Sequence, residues 1–346
     1  MLCLLFGLLA LGPVTLEPVR TLTPPPEDQD LFLQNILHVE IDDDGIFYAT
    51  DFPSARIYRW RPDGGFDGFF GGKGQGPGEF GFAAALGPPL GYINRVDGNF
   101  YIYDGASRTL SILNKQHEFV RRVTFEKLGG KINGFHALSS KRFLFYDSYF
   151  CDEKPCRRIL EYNDQGKLIK SWHDSPDKTW EHNRNTNKVK LFIWEPIPVL
   201  HFSRQRGEVV LAHSSRPVLE VYDSQGTLKR TLTLEIPRPE VTKDDIAEYN
   251  AQPWLKDAPQ VVPVFPDQKN YFNRVLTVKE GYLVYHLSPF HGIAKGYLVD
   301  FDGKLKGRFT WECGEGGGLF APRGRLMSAR IDDEGDLAIQ ELRLRL

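Results

Sequence analysis

Short runs of alternating apolar and polar residues, punctuated by Gly, Asp and Asn, fill most of the chain, and a period of two predicts strands rather than helices. One unit recurs: a polar turn, a short apolar strand, and a polar residue six positions after the turn. Its copies are Gly45–Asp51 (GIFYATD), Gly98–Asp104 (GNFYIYD), Lys141–Asp147 (KRFLFYD), Gly207–His213 (GEVVLAH), Glu280–His286 (EGYLVYH) and Gly335–Glu341 (GDLAIQE). A fixed period of tens of residues with a strand and a turn in each copy predicts a radially repeated all-β protein.

Each unit offers up to four strands. In the first, Ile36–Ile41 leads into the turn Asp42–Gly45, and Ile46–Thr50, Arg56–Arg61 and Phe66–Phe70 follow. Outer hairpins are marked by Asp164-Gln165-Gly166, by Asp223-Ser224-Gln225-Gly226 and by Asp302-Gly303. Parallel strands would need crossover helices, for which the chain has no periodicity, so antiparallel pairing is expected throughout. The expected architecture is a six-bladed β-propeller of four-stranded antiparallel blades. Only Leu342–Leu346 follow the last copy, too few for two further strands, so closure by an N-terminal strand around Pro18–Leu22 is expected.

The stretch IDDDGIFYATDFPSARIYRWRPDGGFDGFFGGKGQGPGEF (Ile41–Phe80) resembles NHL-type repeats, specifically the six-bladed propellers of exported bacterial proteins with a GxGxGPGEF-like link between blades. The resemblance implies a propeller outside the cytoplasm and no particular substrate. The glycines of Gly71–Phe80 lead into no helix start, so a tight inter-blade crossing pinned by Glu79 and Phe80 is expected there, not a phosphate loop.

At 346 residues and 41% hydrophobic, the chain has room for one large domain at about 40–45 residues per blade. A formal net charge of −2 argues against nucleic acid as a partner. The apolar run Leu2–Leu11 is too short to span a bilayer and is followed by small residues, which predicts a signal peptide over residues 1–16, truncated at its start, and a propeller over 17–346. No transmembrane span is expected, and the predicted location is extracytoplasmic, periplasmic or secreted. Cys151 and Cys156 flank a four-residue polar stretch between two strand-like runs, a spacing suited to a disulfide and poor for zinc.

Three sets of residues carry candidate chemistry. The polar residues that end each copy, including His213 and His286, should lie near one rim, where the Asp members are expected to brace their own loops. Innermost strands supply His38, His136 and His201, the ligand set for a divalent metal if one is bound; no metal or other cofactor is the favoured expectation. Their positions ahead of their turns differ, so unequal turns are required to bring them together. The long connections 174–196 and 237–270 should gather on one face, where Trp180, His182, Arg184 and Trp194, with His213, His286 and His291, form the candidate ligand-binding set. Thr242 to Asp245 reads as the capped start of a short helix within the second of these.

There is no Gly-x-Ser-x-Gly elbow, no His-Glu-x-x-His pair and no calcium loop. The expected function is therefore an exported binding or scaffold propeller for a protein, peptide or glycan ligand, and catalysis is not favoured. The alternative is a metal-assisted lyase or hydrolase in the central channel.

Overall fold

Hydrogen-bonding side chains at the hairpin turns set the repeat. In the computed structural model, Asn114, Asn163, Asp223 and Asp300 each accept two backbone N–H groups across their own turn through Oδ1, at 2.9–3.0 Å. Gly166, Gly226 and Gly303 follow with φ of 75°, 83° and 87°, and His117 takes the same left-handed conformation at 65°. An extra residue is absorbed as a bulge in the strand after each turn, at Val120, Ile169, Lys229 and Lys306, so the turn chemistry also twists the strand pair. The structure describes residues 12–346 except 27–30, 32, 52, 81–89, 129–130, 152–153, 184, 289–291, 315–316 and 332–335.

The strands are β1 (Thr15–Thr21); β2 (Ile36–Ile41), β3 (Phe47–Asp51), β4 (Arg56–Trp60) and β5 (Phe66–Gly71); β6 (Leu90–Val96), β7 (Asn99–Asp104), β8 (Thr109–Leu113) and β9 (Phe119–Thr124); β10 (Lys131–Ser139), β11 (Arg142–Cys151), β12 (Lys154–Asn163) and β13 (Leu168–Pro176). There follow β14 (Trp180–Asn183) and β15 (Lys188–Phe192), then β16 (Pro198–Ser203), β17 (Glu208–His213), β18 (Val218–Asp223) and β19 (Leu228–Thr233). Helices α1 (Lys243–Asn250) and α2 (Pro253–Asp257) precede β20 (Val261–Val264). The chain ends with β21 (Arg274–Val278), β22 (Gly281–Leu287), β23 (Ile293–Val299) and β24 (Leu305–Glu312), then β25 (Gly318–Phe320), β26 (Leu326–Ile331) and β27 (Leu337–Arg345).

These strands form four-stranded antiparallel sheets in chain order, β2 to β5, β6 to β9, β10 to β13, β16 to β19 and β21 to β24, with a last sheet ordered β25-β26-β27-β1. The N-terminal strand thus supplies the outer edge of the sheet made by the C-terminus, pairing Thr15 with Arg345 and Thr21 with Gln340. Pro18, which has no N–H to donate, sits on that edge strand, where the loss is tolerated. Hydrophobic clusters lie between every consecutive pair of sheets, and the series returns to its start: Leu22, Ile36, Val39, Phe47 and Trp60 pack with Met327, Ala329 and Ile339 between the first sheet and the last. The fold is an all-β propeller.

Neighbouring blades are also joined at the outer turns. Thr23 N–H donates to the Gly64 carbonyl at 2.9 Å, Glu126 to Gly166 at 3.0 Å and Glu235 to Gly303 at 3.1 Å, each time from the chain leaving one blade to the turn of the next. Trp60 Nε1 returns a bond to Thr23 O at 2.7 Å and Tyr162 Oη one to Glu126 O at 2.9 Å, so both polar groups of the departing peptide are satisfied. The approach leaves no room for a side chain: a Cβ on Gly166 would lie 1.8 Å from Thr124 O.

Two sequence expectations are corrected here. Gly335–Glu341 is not a second-strand copy: Leu326–Ile331 holds that place and Leu337–Arg345 is the third strand. Its turn mimicked the repeat, whereas the true inner turn runs through a single turn of 3-10 helix at Pro322–Gly324. Glu341 therefore sits within a strand, bonded bidentately by Arg325 at 2.7 and 2.8 Å, and not on the rim shared by the other five residues. The propeller also begins before residue 17, since Val14 and Leu16 are buried in the cluster between the last two sheets. Most of the expected leader, residues 1–11, lies outside the described residues.

The inter-blade turns generate a stability prediction. Gly207→Ala, where nothing lies within 4 Å and only the left-handed φ is strained, should cost about 1–2 kcal/mol. Gly166→Ala should cost that plus about 1–3 kcal/mol for the enforced displacement of Thr124. Urea unfolding of the two variants beside the parent checks the difference.

Candidate functional site

Antiparallel order places the chain's irregular segments. Turns from an innermost strand to the second lie at one end of the sheets. Links from an outermost strand to the next innermost strand lie at the other end, with the hairpins joining second and third strands. The connections 177–197 and 234–273, and the β11–β12 hairpin, therefore share one face.

On that face the two insertions join. Strand β15 pairs in parallel with β20 (Val189 with Val261, Phe192 with Val264) and antiparallel with β14, giving a small separate three-stranded sheet. The second insertion is ordered by its own helix start: Thr242 Oγ1 accepts from Asp245 N, and Asp245 Oδ2 accepts from Thr242 N. Lys269 Nζ lies 2.6 Å from Asp245 Oδ1 and over the Trp194 ring at 5.0 Å. Trp194, held at φ 57°, meets Phe265, which meets the buried Tyr249, forming an aromatic core of the insertion, and the exposed Trp254 stands edge-on to Tyr249 at its margin.

The neighbouring β11–β12 hairpin is closed by the disulfide Cys151–Cys156, with Cα atoms 5.9 Å apart. Arg157 fastens its base, donating to Asp177 Oδ2 at 2.7 Å and to Tyr146 Oη at 2.8 Å. Phe150, at 67% exposure, projects near the hairpin tip and meets Trp180 edge-on with centroids 5.9 Å apart. Phe150 is a site residue the sequence reading missed; its signal was an aromatic beside a cysteine at a predicted loop neck.

The candidate ligand-binding residues divide. Trp180 joins Phe150, and Trp194 is absorbed into the insertion core. His182 is exposed on β14, with Nε2 3.2 Å from Asn187 Oδ1. His213 and His286 end β17 and β22. His213 bonds Ser215 Oγ at 2.7 Å and lies 6.3 Å from the ring of His173, an unanticipated partner. His286 Nε2 bonds Asn270 O at 2.9 Å, and burial lowers its pKa to about 4. Arg184 and His291 lie outside the described residues.

The rim aspartates are built into their loops. Asp51 accepts from Gln34 N, Asn35 N, Ser54 N and Ser54 Oγ, and Asp104 from Ala106 N, Ser107 N and Ser107 Oγ. Asp147 accepts from the Arg158 guanidinium at 2.8 Å.

In the channel, His38, His136 and His201 come within electrostatic reach of one another. The connections after their strands are unequal, 42–46, 140–141 and 204–207, and a register shift between Ala137 and Ser139 sets His136 at the third strand pair from its turn, like His201, with His38 at the fourth. The His136 and His201 rings are 6.5 Å apart. Burial first, then Arg204, lowers the His38 pKa to about 4; burial, then His38, lowers that of His201 to about 4. His136 is pushed well below its usual value by burial and by the other two rings. A three-histidine ligand set does not fit these donors, because His201 Nε2 already accepts the Thr277 N–H at 3.0 Å. No three His, Cys, Asp or Glu side chains are gathered as metal ligands among the described residues.

No family model and no curated protein sequence matches the chain. Among solved structures, it is similar to a candidate exported protein of Bacteroides fragilis, at TM-score 0.55 and 12% identity over 96% of both chains. It is also similar to a member of the DUF4221 family from Bacteroides vulgatus, at TM-score 0.53 and 12% identity over 97% of this chain and 99% of that one. These likenesses bear on the fold alone. No helix among the described residues is long and apolar enough to cross a membrane.

The channel histidines set a pH dependence. Unfolded, His38 and His201 have pKa values near 6.5 and bind more protons than the folded form between pH 6.5 and about 4, and His136, pushed down in the same direction, adds to the effect. Stability should therefore be complete above pH 6.5 and fall as the pH drops through that window. The double variant His38→Gln, His136→Gln should show a shallower fall in its urea midpoint; an unchanged slope would contradict the assignment.

Proposed function

We propose that this chain is an exported NHL-type six-bladed propeller that binds a protein, peptide or glycan through the face carrying its two insertions. The observation that carries this reading is the pairing of β15 with β20. Two connections that the propeller does not need for its own closure meet in a separate sheet, beside a disulfide-closed hairpin that presents Phe150 and Trp180. Exposed Trp254 and Val262 extend the apolar surface, and Lys188, Lys190 and His182 give it polar contacts. The disulfide supports an oxidising location outside the cytoplasm.

The channel alternative draws on the convergence of His38, His136 and His201, but their nitrogen chemistry gives less support to metal-assisted catalysis than the insertion face gives to binding. Peptide and glycan arrays probed with the parent and with Phe150→Ser, Trp254→Ser test the proposal. The parent should give a restricted set of hits that the variant loses at least about tenfold, with its unfolding midpoint within about 1 kcal/mol of the parent. Hits retained by the variant would refute the assignment of the surface.

A further inference from the structure

At the end of the sheets opposite the insertions, a cavity of about 380 Å³ lies between the fourth and fifth blades. Its walls are Gln205 and Arg206, from the turn between β16 and β17, Val278 and Lys279, at the turn between β21 and β22, and Phe301, from the outer turn of the fifth blade. It shares no residue with the insertion face or the channel histidines.

The charged residues lining this cavity, Arg206 and Lys279, are both cationic. Glu208 accepts from Arg206 Nε at 2.8 Å and also from Arg230 Nη1 at 3.0 Å, so two guanidinium groups share one carboxylate. Lys279 is exposed on the rim and has no ion-pair partner among the described residues. Nearby arginines of the same face are matched individually, Arg323 with Asp43 at 2.5 Å and Arg204 facing Glu40 at 4.0 Å. The neighbouring carboxylates Glu280, Asp300 and Asp302 do not line the cavity.

Its shape adds an apolar requirement. Arg206 lies flat over the Phe301 ring, 3.9 Å from the centroid, so its direction is fixed by stacking as well as by Glu208. Phe301 forms an apolar wall beside the cations. Two cations beside an aromatic ring favour an oxyanion that carries an apolar part.

We propose that this cavity binds a small organic oxyanion, a carboxylate or phosphate ester carrying an apolar or aromatic group, with Lys279 and Arg206 holding the anion and Phe301 the apolar part. Phosphate and carboxylate share the chemistry, and the probes separate them. Calorimetry on the full chain with phenyl phosphate, benzoate, inorganic phosphate and benzylamine tests it. Saturable one-to-one binding of phenyl phosphate, benzoate or both is expected, with inorganic phosphate at least about tenfold weaker and benzylamine silent. Lys279→Gln, an exposed change that leaves the Glu208 network intact, should weaken binding about tenfold, and Arg206→Gln at least as much. Absence of saturable binding of both aromatic anions up to about 10 mM, equal binding of inorganic phosphate, or unchanged affinity in Lys279→Gln would overturn the proposal.

Discussion

The backbone hydrogen bond between one blade's departing chain and the glycine of the next blade's outer turn is the constraint on which the rest depends. Hydrophobic clusters hold neighbouring sheets together without fixing their relative height. The bonds from Thr23, Glu126 and Glu235 to Gly64, Gly166 and Gly303 fix that height at three junctions, and only a residue without Cβ permits the approach at Gly166. With blade height fixed, unequal inner turns can carry His38, His136 and His201 toward one level. The links on the opposite face then start from a common plane.

Much of the fold was legible because it is local. An Asn or Asp three residues before a glycine specifies its hairpin through its own side chain; three outer turns follow that rule, and the Asn114 turn does so with His117 in the place of the glycine. The same locality misled the reading at Gly335–Glu341, where a turn with acceptable chemistry lies one strand out of frame. What distinguishes the frames is the pairing of Leu326–Ile331 with Leu337–Arg345 and of β1 with β27, which is tertiary information.

The candidate site was less legible. That the insertions gather on one face follows from antiparallel connectivity, and the capped helix at Thr242 was readable from two residues. The parallel pairing of Val189 with Val261 was not, since neither segment has alternation strong enough to mark a strand and the partners are far apart in the chain. Nor could spacing reveal that Trp194 serves an internal aromatic core while Phe150 stands in solvent. The histidine offsets seemed inconsistent because neither the lengths of the inner turns nor the bulge between Ala137 and Ser139 can be read from the strand pattern.

Hydrogen exchange of the intact chain tests the closed ring most directly. If β1 is an integral strand joining the two ends of the chain, the paired amides of Leu16 to Arg20 should exchange in the same slow class as the central strands β3 and β11, opening only with global unfolding. Exchange of that segment orders of magnitude faster than β3 and β11 would show that the last sheet ends at β27, and would contradict the account.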